Sequence, residues 1–138
     1  VVQPCNQLKN IRIPSQLVPN VIDELPILSL LATKASGKMI VREAKELRVK
    51  ESDRISGIHR LITALGGQVV EYNDGFDIHG SIEVAGDCSF DAHFDHRLAM
   101  SALIAGKAFG VDIRVTGADS ISTSFPNFMS LLNDIDLT

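Results

Sequence analysis

The sequence has no run of clustered Lys and Arg, no long apolar segment and few cysteines. Proteins that bind duplex nucleic acid need clustered basic residues to contact phosphates, so nucleic acid is not an expected partner of a chain with a net charge of −4. The longest apolar stretch, around residues 27–32, is too short to span a bilayer. Cys5 and Cys88 are too few and too far apart for a disulfide framework, which favours a reducing, cytoplasmic location.

The remaining composition is that of a folded domain. The chain has 138 residues, of which 45% are hydrophobic and 22% are charged. This length allows one domain with its own core. Because the sequence begins at Val1 without a methionine, we expect it to be a piece of a longer protein.

The sequence repeats itself at a spacing of 73 residues. With that shift, several residues of segment 30–40 are identical to the residues at the corresponding positions of segment 103–113. The first members of the identical pairs are Leu30, Ala32, Lys34, Ala35, Gly37 and Ile40. Such a repeat predicts two copies of one supersecondary unit. We place them at residues 11–80 and 81–138, the second incomplete, within a single domain spanning 1–138.

Local patterns assign elements to each copy. Apolar periodicity and helix start signals predict helices over 22–35, 52–65, 95–109 and 126–135. Strand signals cover 38–43, 47–49, 82–84, 88–92 and 112–116, together with a hairpin in which 68–72 and 76–79 flank the turn at 73–75. Each unit therefore reads β-α-β-α-β-β, and the fold class is α/β.

The most informative segment is Lys-Glu-Ser-Asp-Arg at positions 50–54. If Ser52 is the N-cap of the helix that follows, Lys50, Glu51 and Arg54 converge at its positive end, where backbone N–H groups favour an anion. A lysine, an arginine fork and a carboxylate in that position suggest chemistry on a phosphorylated or carboxylated substrate.

Two other predicted helices begin with charged residues, at Asp23 and at Asp95-His96-Arg97. Three helix starts that face one site could bind an anion together. The structural alternative is that these residues only cap helices and form solvated faces, and for Asp23 alone capping is the simpler explanation. The acids and histidines of 91–96 do not follow a known metal-ligand spacing, so no metal site is predicted.

Four segments together resemble the 5-enolpyruvylshikimate-3-phosphate synthase family, the 3-phosphoshikimate 1-carboxyvinyltransferases. They are Ile-Asp-Glu-Leu-Pro at 22–26, Arg-Val-Lys-Glu-Ser-Asp-Arg at 48–54, Asp-His-Arg-Leu-Ala-Met at 95–100 and Ser-Phe-Pro-Asn-Phe at 124–128. The resemblance covers essentially the whole chain but corresponds to the C-terminal third of such an enzyme. It implies the enolpyruvyl transferase fold, an inside-out α/β barrel of β-α-β-α-β-β units. About two units would be present here, and the N-terminal domain would be the partner.

The resemblance also implies an activity. These enzymes transfer the enolpyruvyl group of phosphoenolpyruvate to the 5-hydroxyl of shikimate 3-phosphate and release phosphate, with no cofactor and no metal. Asp23 and Lys50 would contact the acceptor hydroxyl, with Asp23 as the proton acceptor. Glu51 would deliver and remove a proton at the methylene carbon of phosphoenolpyruvate.

The remaining implied roles concern the carboxylate of phosphoenolpyruvate. Arg54 and Arg97 would hold it, and His96 would line the same pocket. The sequence departs from the pattern at Thr123 and Ser124, where some members carry a lysine just before the Phe-Pro element, and at Glu46, where others have Asn.

Two alternatives stay open at the level of sequence. One is a domain like UDP-N-acetylglucosamine enolpyruvyl transferase, disfavoured because segment 50–54 is the signature of the shikimate enzyme and no catalytic cysteine loop is visible. The other is a non-catalytic module for anion binding or assembly.

Overall fold

The computed structural model describes residues 7–135. Its helices are α1 (Val18–Val21), α2 (Leu25–Lys34), α3 (Arg54–Ala64), α4 (His96–Phe109), α5 (Ser120–Ser124) and α6 (Phe128–Asp134). Its strands are β1 (Lys38–Val41), β2 (Val69–Tyr72), β3 (Gly75–His79), β4 (Cys88–Asp91) and β5 (Ile113–Thr116). Two 3-10 turns cover Ser15–Leu17 and Lys45–Val49. None of the helices in this part of the chain is long and apolar enough to cross a membrane.

The first half of the chain folds around a sheet with the strand order β1-β3-β2. Both pairings are antiparallel, and the predicted hairpin forms between β2 and β3 with Tyr72 opposite Gly75. An extended segment before α1 adds parallel bridges to this sheet, between Lys9 and Ser36 and between Arg12 and Ile40. The first half therefore has the predicted order of extended segment, helix, strand, helix and two strands.

The second half repeats the beginning of that order. Strands β4 and β5 pair in parallel, and α4 connects them. Helices α5 and α6 follow, and within residues 7–135 no further strand pair comes after them. The limits of the two copies at 11–80 and 81–138 stay a prediction.

The core lies between the helices and the first sheet, and it also joins the two halves. Ile58, Phe76 and Leu98 are almost fully buried in it. Helices α3 and α4 approach closely at Gly57, where an added Cβ atom would lie 2.3 Å from Cδ1 of Leu98. This close approach matters for function because both helices begin at the charged cluster described below.

The prediction of a strand at 47–49 was wrong, because this segment belongs to the 3-10 turn Lys45–Val49. Arg48 fixes the turn against the hairpin, with its guanidinium donating to the Tyr72 carbonyl at 2.6 Å and to Glu71 at 2.6 Å. Ser52 as the N-cap was also wrong. The N-cap of α3 is Asp53, whose carboxylate accepts a hydrogen bond from the backbone N–H of Ser56 at 3.1 Å.

Other predicted boundaries also moved. Segment 82–84 is not a strand, because the backbone N–H of Ile82 donates to the Thr33 carbonyl of α2 instead of to a sheet. Helix 22–35 begins only at Leu25, helix 126–135 begins only at Phe128, and α5 was not predicted.

Candidate active site

Arg54, in the first turn of α3, is the centre of the predicted cluster. Its side chain is only 1% exposed, and each of its three nitrogens contacts a carboxylate. The Nε atom donates to Asp95 at 2.8 Å, and Nη1 donates to Asp23 at 2.7 Å. The Nη2 atom donates to Glu51. A buried guanidinium needs this compensation, because an unpaired charge away from water is costly.

Asp95 is the fully buried partner of Arg54 and also the N-cap of α4. One carboxylate oxygen accepts the Arg54 Nε bond and a bond from the Ser52 hydroxyl at 3.0 Å. The other oxygen accepts the backbone N–H groups of Arg97 and Leu98. Asp95 therefore fixes the start of α4 and the start of α3 to each other.

Asp23 lies just before α2 and brings the third helix start to the same place. Besides Arg54, its carboxylate has Lys50 Nζ at 3.8 Å and Arg97 Nη2 at 3.8 Å. Arg97 also donates to the backbone carbonyl of Asp23 at 3.0 Å. The starts of α2, α3 and α4 thus meet in one cluster, as the sequence pattern suggested.

The cluster is accessible on one side. The side chains of Asp23 and Glu51 are 40% and 47% exposed, while that of Arg97 is 34% exposed. The cluster can therefore offer two carboxylates and one arginine to a ligand, while Arg54 and Asp95 lie behind them.

The charges around Asp23 control its protonation. Burial by itself raises the pKa of Asp23, but the hydrogen bond from Arg54 and the charges of Arg97 and Lys50 outweigh it, so the net pKa is lowered. Asp23 is consequently a carboxylate at neutral pH and can accept a hydrogen bond from a hydroxyl. The pKa of Lys50 is raised, chiefly by its hydrogen bond with Glu46.

His96 is less engaged than the other predicted residues. It is half-buried in the first turn of α4, and its side chain makes no hydrogen bond or ion pair within residues 7–135.

Arg97 lines a pocket of about 220 Å³ beside the cluster, whose walls include Ile27, Phe125 and Phe128. The two phenylalanines stack edge to face with ring centres 5.8 Å apart, consistent with a packing role.

The residues of segment 91–96 serve other purposes in the structure. Asp91 accepts a hydrogen bond from the backbone N–H of His93 at 2.8 Å, and Asp95 accepts one from Arg54. In the described part of the chain, no group of three His, Cys, Asp or Glu side chains is arranged to hold a metal ion.

Two features of the cluster were not predicted from the sequence. Asp95 was recognised as a helix start but not as the partner of Arg54, since a contact across 41 positions leaves no local signal. Glu46 was noted only as a departure from a family pattern, yet its Oε1 atom lies 2.6 Å from Lys50 Nζ. The two residues lie four positions apart, but this spacing predicts a contact only on a helix, and neither residue belongs to a predicted helix.

Solved structures identify the class of fold. Two structures of EPSP synthase from Acinetobacter baumannii superimpose on 96% of this chain, with TM-scores of 0.83 and 0.80 and sequence identities of 34% and 31%. The chain covers 31% and 30% of those two proteins. The predicted α/β class with repeated units of the enolpyruvyl transferase fold is confirmed.

Sequence comparison then gives the family. Residues 2–132 match the family model described as EPSP synthase (3-phosphoshikimate 1-carboxyvinyltransferase). The chain is 45% identical over 130 residues to the 3-phosphoshikimate 1-carboxyvinyltransferase of Geobacter metallireducens and 41% identical over 130 residues to that of Petrotoga mobilis. It belongs to the EPSP synthase family, as the resemblance implied. The matched region covers 94% of this chain but only 30% of the length of each of these two relatives.

Proposed function

We propose that this chain supplies one wall of the active site of a 3-phosphoshikimate 1-carboxyvinyltransferase. The observation that carries the proposal is the convergence of Asp23, Glu51 and Asp95 on the buried guanidinium of Arg54. It brings the expected proton acceptor and the expected acid–base residue to one guanidinium, with Lys50 and Arg97 at the rim.

The chemistry needs these residue types. The 5-hydroxyl of shikimate 3-phosphate adds to C2 of phosphoenolpyruvate while C3 gains a proton, which gives a tetrahedral intermediate. Phosphate then leaves as C3 loses a proton. In our proposal Asp23 accepts the hydroxyl proton and Glu51 first gives and then regains the C3 proton. One carboxyl group must therefore act as both acid and base. This route needs no cofactor.

The two arginines are proposed to act in sequence. Arg97 is 34% exposed, so it can contact the carboxylate of phosphoenolpyruvate first. Arg54 uses three of its five N–H donors on carboxylates. We propose that Glu51 turns away when phosphoenolpyruvate binds and leaves Nη2 of Arg54 to the ligand, which couples the position of Glu51 to ligand binding. His96, next to Arg97 in sequence, completes the proposed pocket.

The opposite wall must come from elsewhere in a complete enzyme. We propose that the N-terminal domain of the same enzyme supplies it, with shikimate 3-phosphate and phosphoenolpyruvate as substrates and the cytoplasm as the location. The alternative of a non-catalytic anion-binding module has less support, because the carboxylates of Asp23 and Glu51 lie on the exposed side of the cluster, where they would repel an anion.

A chimera tests the proposal. This chain would replace the matched 130 residues of the Geobacter metallireducens enzyme, and phosphate release from phosphoenolpyruvate would be assayed with shikimate 3-phosphate. We expect turnover, and we expect Glu51→Gln to lower kcat by about 10²–10⁴-fold, the usual loss when a general acid–base residue is removed.

Glu43→Gln is the matched control, because Glu43 is exposed and its carboxylate pairs with no cation among residues 7–135. It should keep the kcat of the unmodified chimera. A folded chimera without turnover, or a Glu51→Gln variant as active as the control, would refute the assignment.

A further inference from the structure

Lys50 lies between two carboxylates that belong to different elements. Its Nζ atom is 2.6 Å from Oε1 of Glu46, in the 3-10 turn, and 3.8 Å from Oδ1 of Asp23, before α2. The first contact is a hydrogen-bonded ion pair, and the second is only an electrostatic contact. Lys50 is therefore held on the Glu46 side of the cluster.

Glu46 is an exposed residue with one ion-pair partner in the described part of the chain. Its side chain is 61% exposed, and among residues 7–135 its carboxylate makes no ion pair or side-chain hydrogen bond except with Lys50. The pair is not an ordinary helix-surface pair, because the 3-10 turn ends at Val49 and Lys50 has an extended backbone. Within residues 7–135, Glu46 therefore contacts the cluster through Lys50.

The cations around Asp23 differ in their freedom to move. Arg54 is fixed by its buried pair with Asp95, and Arg97 is held to the backbone carbonyl of Asp23. Lys50 has a flexible four-carbon stem and a single close partner. Of the three, Lys50 is the cation whose distance from Asp23 can change without breaking the core of the cluster.

We propose that Glu46 is a positioning residue that holds Lys50 away from Asp23 and so keeps Asp23 a competent proton acceptor. Without Glu46, the ammonium group moves to the nearest remaining carboxylate, which is Asp23. A hydrogen-bonded ammonium stabilises the carboxylate form, and a more stabilised carboxylate is a weaker base. The inference rests on the proposed function in assigning Asp23 as the acceptor.

The other charges that face Lys50 agree with this direction. Glu46 and Asp23 both raise its pKa, while the charge of Arg54 lowers it. Losing Glu46 leaves Asp23 as the carboxylate that compensates Lys50 against Arg54. The expected outcome is a lower pKa for Lys50 and a further lowered pKa for Asp23.

The first test is an NMR titration of this chain with carbon-13-labelled lysine and aspartate. Glu46→Gln keeps the size of the side chain and removes its charge, and Glu43→Gln removes one charge from the same region without touching Lys50. We expect Glu46→Gln to lower the pKa of Lys50 and of Asp23, and Glu43→Gln to change neither. An equal response to both variants, or no response to Glu46→Gln, would overturn the proposal.

The second test uses the chimera with the Geobacter metallireducens enzyme. The Glu46–Lys50 pair is exposed and its effect should be modest, so Glu46→Gln should lower kcat by roughly up to fivefold and move the acidic limb of the pH profile to lower pH. Glu43→Gln should change neither quantity. If Glu46→Gln leaves kcat and the acidic limb unchanged in an active chimera, Glu46 does not act on Asp23. Failure of the proposed function is a different result, since an inactive chimera leaves the NMR titration of Lys50 intact.

Discussion

At the scale of single residues, Arg54 has a structural role in addition to the ligand contact that family resemblance implies. A residue expected to hold a substrate carboxylate is here the buried counter-ion of three protein carboxylates. Burial of such a charge is tolerated only with complete compensation. The arginine that would clamp a ligand in the proposed enzyme therefore also holds its own active-site acids in place.

Asp95→Asn should be strongly destabilising. Of the three carboxylates that compensate Arg54 within residues 7–135, the substitution removes the fully buried one, so an incompletely paired charge remains in the core. Breaking a buried pair in this way costs about 3–5 kcal/mol in the free energy of unfolding. Urea unfolding measures the loss. The control is Asp134→Asn, an exposed acid at the end of α6, which should stay within about 0.5 kcal/mol of the parent chain. Similar stability of the two variants would show that Asp95 is dispensable.

Asp77 is a second buried carboxylate, and its ionisation should make the stability of the fold depend on pH. Its side chain, 7% exposed on β3, accepts a bond from Arg42 at 2.7 Å and lies 3.7 Å from Lys38. Burial by itself raises the pKa of Asp77, but the hydrogen bond and the charge of Arg42 outweigh it and leave the net pKa lowered.

A group whose pKa is lower in the folded state stabilises the fold above its unfolded pKa. That stabilisation disappears as the pH falls through the lowered, folded value. We therefore expect Asp77→Asn to be less stable than the parent chain at pH 7. The difference should shrink as the pH falls from the ordinary value of 3.8 toward the lowered one. Urea unfolding at several pH values tests this, and a difference that is constant with pH would contradict it.

At the scale of elements, the crossing of α3 and α4 determines where their first turns lie. Gly57 allows the crossing because Leu98, fully buried on α4, occupies the space of a Cβ atom. Gly57→Ala should therefore destabilise the fold by about 1–3 kcal/mol, despite the better helix propensity of alanine.

The double variant Gly57→Ala with Leu98→Ala separates overpacking from other effects. If overpacking is the cause, the double variant should lose less stability than the sum of the two single variants, as measured by urea unfolding. Additive losses would mean that the close approach of the two helices is not the source of the destabilisation.

Elements specified by local chemistry were predictable, and those decided by distant contacts were not. The hairpin around Asn73 was predicted because the turn residues themselves dictate its geometry. The segment around Leu47 alternates apolar and charged residues like a strand, but the contacts of Arg48 with the hairpin hold it as a 3-10 turn. Ile82 likewise has strand-like neighbours, yet its N–H bonds to the end of α2.

The same distinction applies to the site. It could be predicted that the three helix starts meet at one cluster, because Asp23, Arg54 and Asp95 each lie at a recognisable helix beginning. Which side chain is buried could not, since burial of Arg54 depends on a partner from the other half of the chain. The assignments of individual catalytic roles remain predictions.

At the scale of the whole molecule, the charged cluster is open on one side. The sheet in the second half of the chain is also small. The parallel pair of β4 and β5 is, within residues 7–135, a two-stranded sheet in which each strand has one free edge. Parallel strands are usually covered and extended by further elements. This architecture fits a chain that spans 30% of the length of its relatives.

The 138-residue chain on its own should have no measurable transferase activity. One wall cannot hold two substrates at reacting distance or exclude water from them. Addition of the remaining part of the Geobacter metallireducens enzyme as a separate protein should restore some phosphate release. Robust turnover by the chain alone would contradict this prediction, and the same assay with Glu51→Gln would exclude a contaminating enzyme.

The position of Arg54 in the chain has a consequence for how the protein folds while the ribosome synthesises it. Asp23 precedes Arg54 by 31 residues, but Asp95 follows it by 41, so a ribosome exposes the guanidinium well before its buried partner emerges. During that interval Arg54 lacks its buried partner, so we expect it to stay in contact with water and the core of the first repeat to remain incompletely closed. The nascent first repeat should therefore remain open to proteases until α4 has been synthesised, and the two repeats should reach their final packing in a single event.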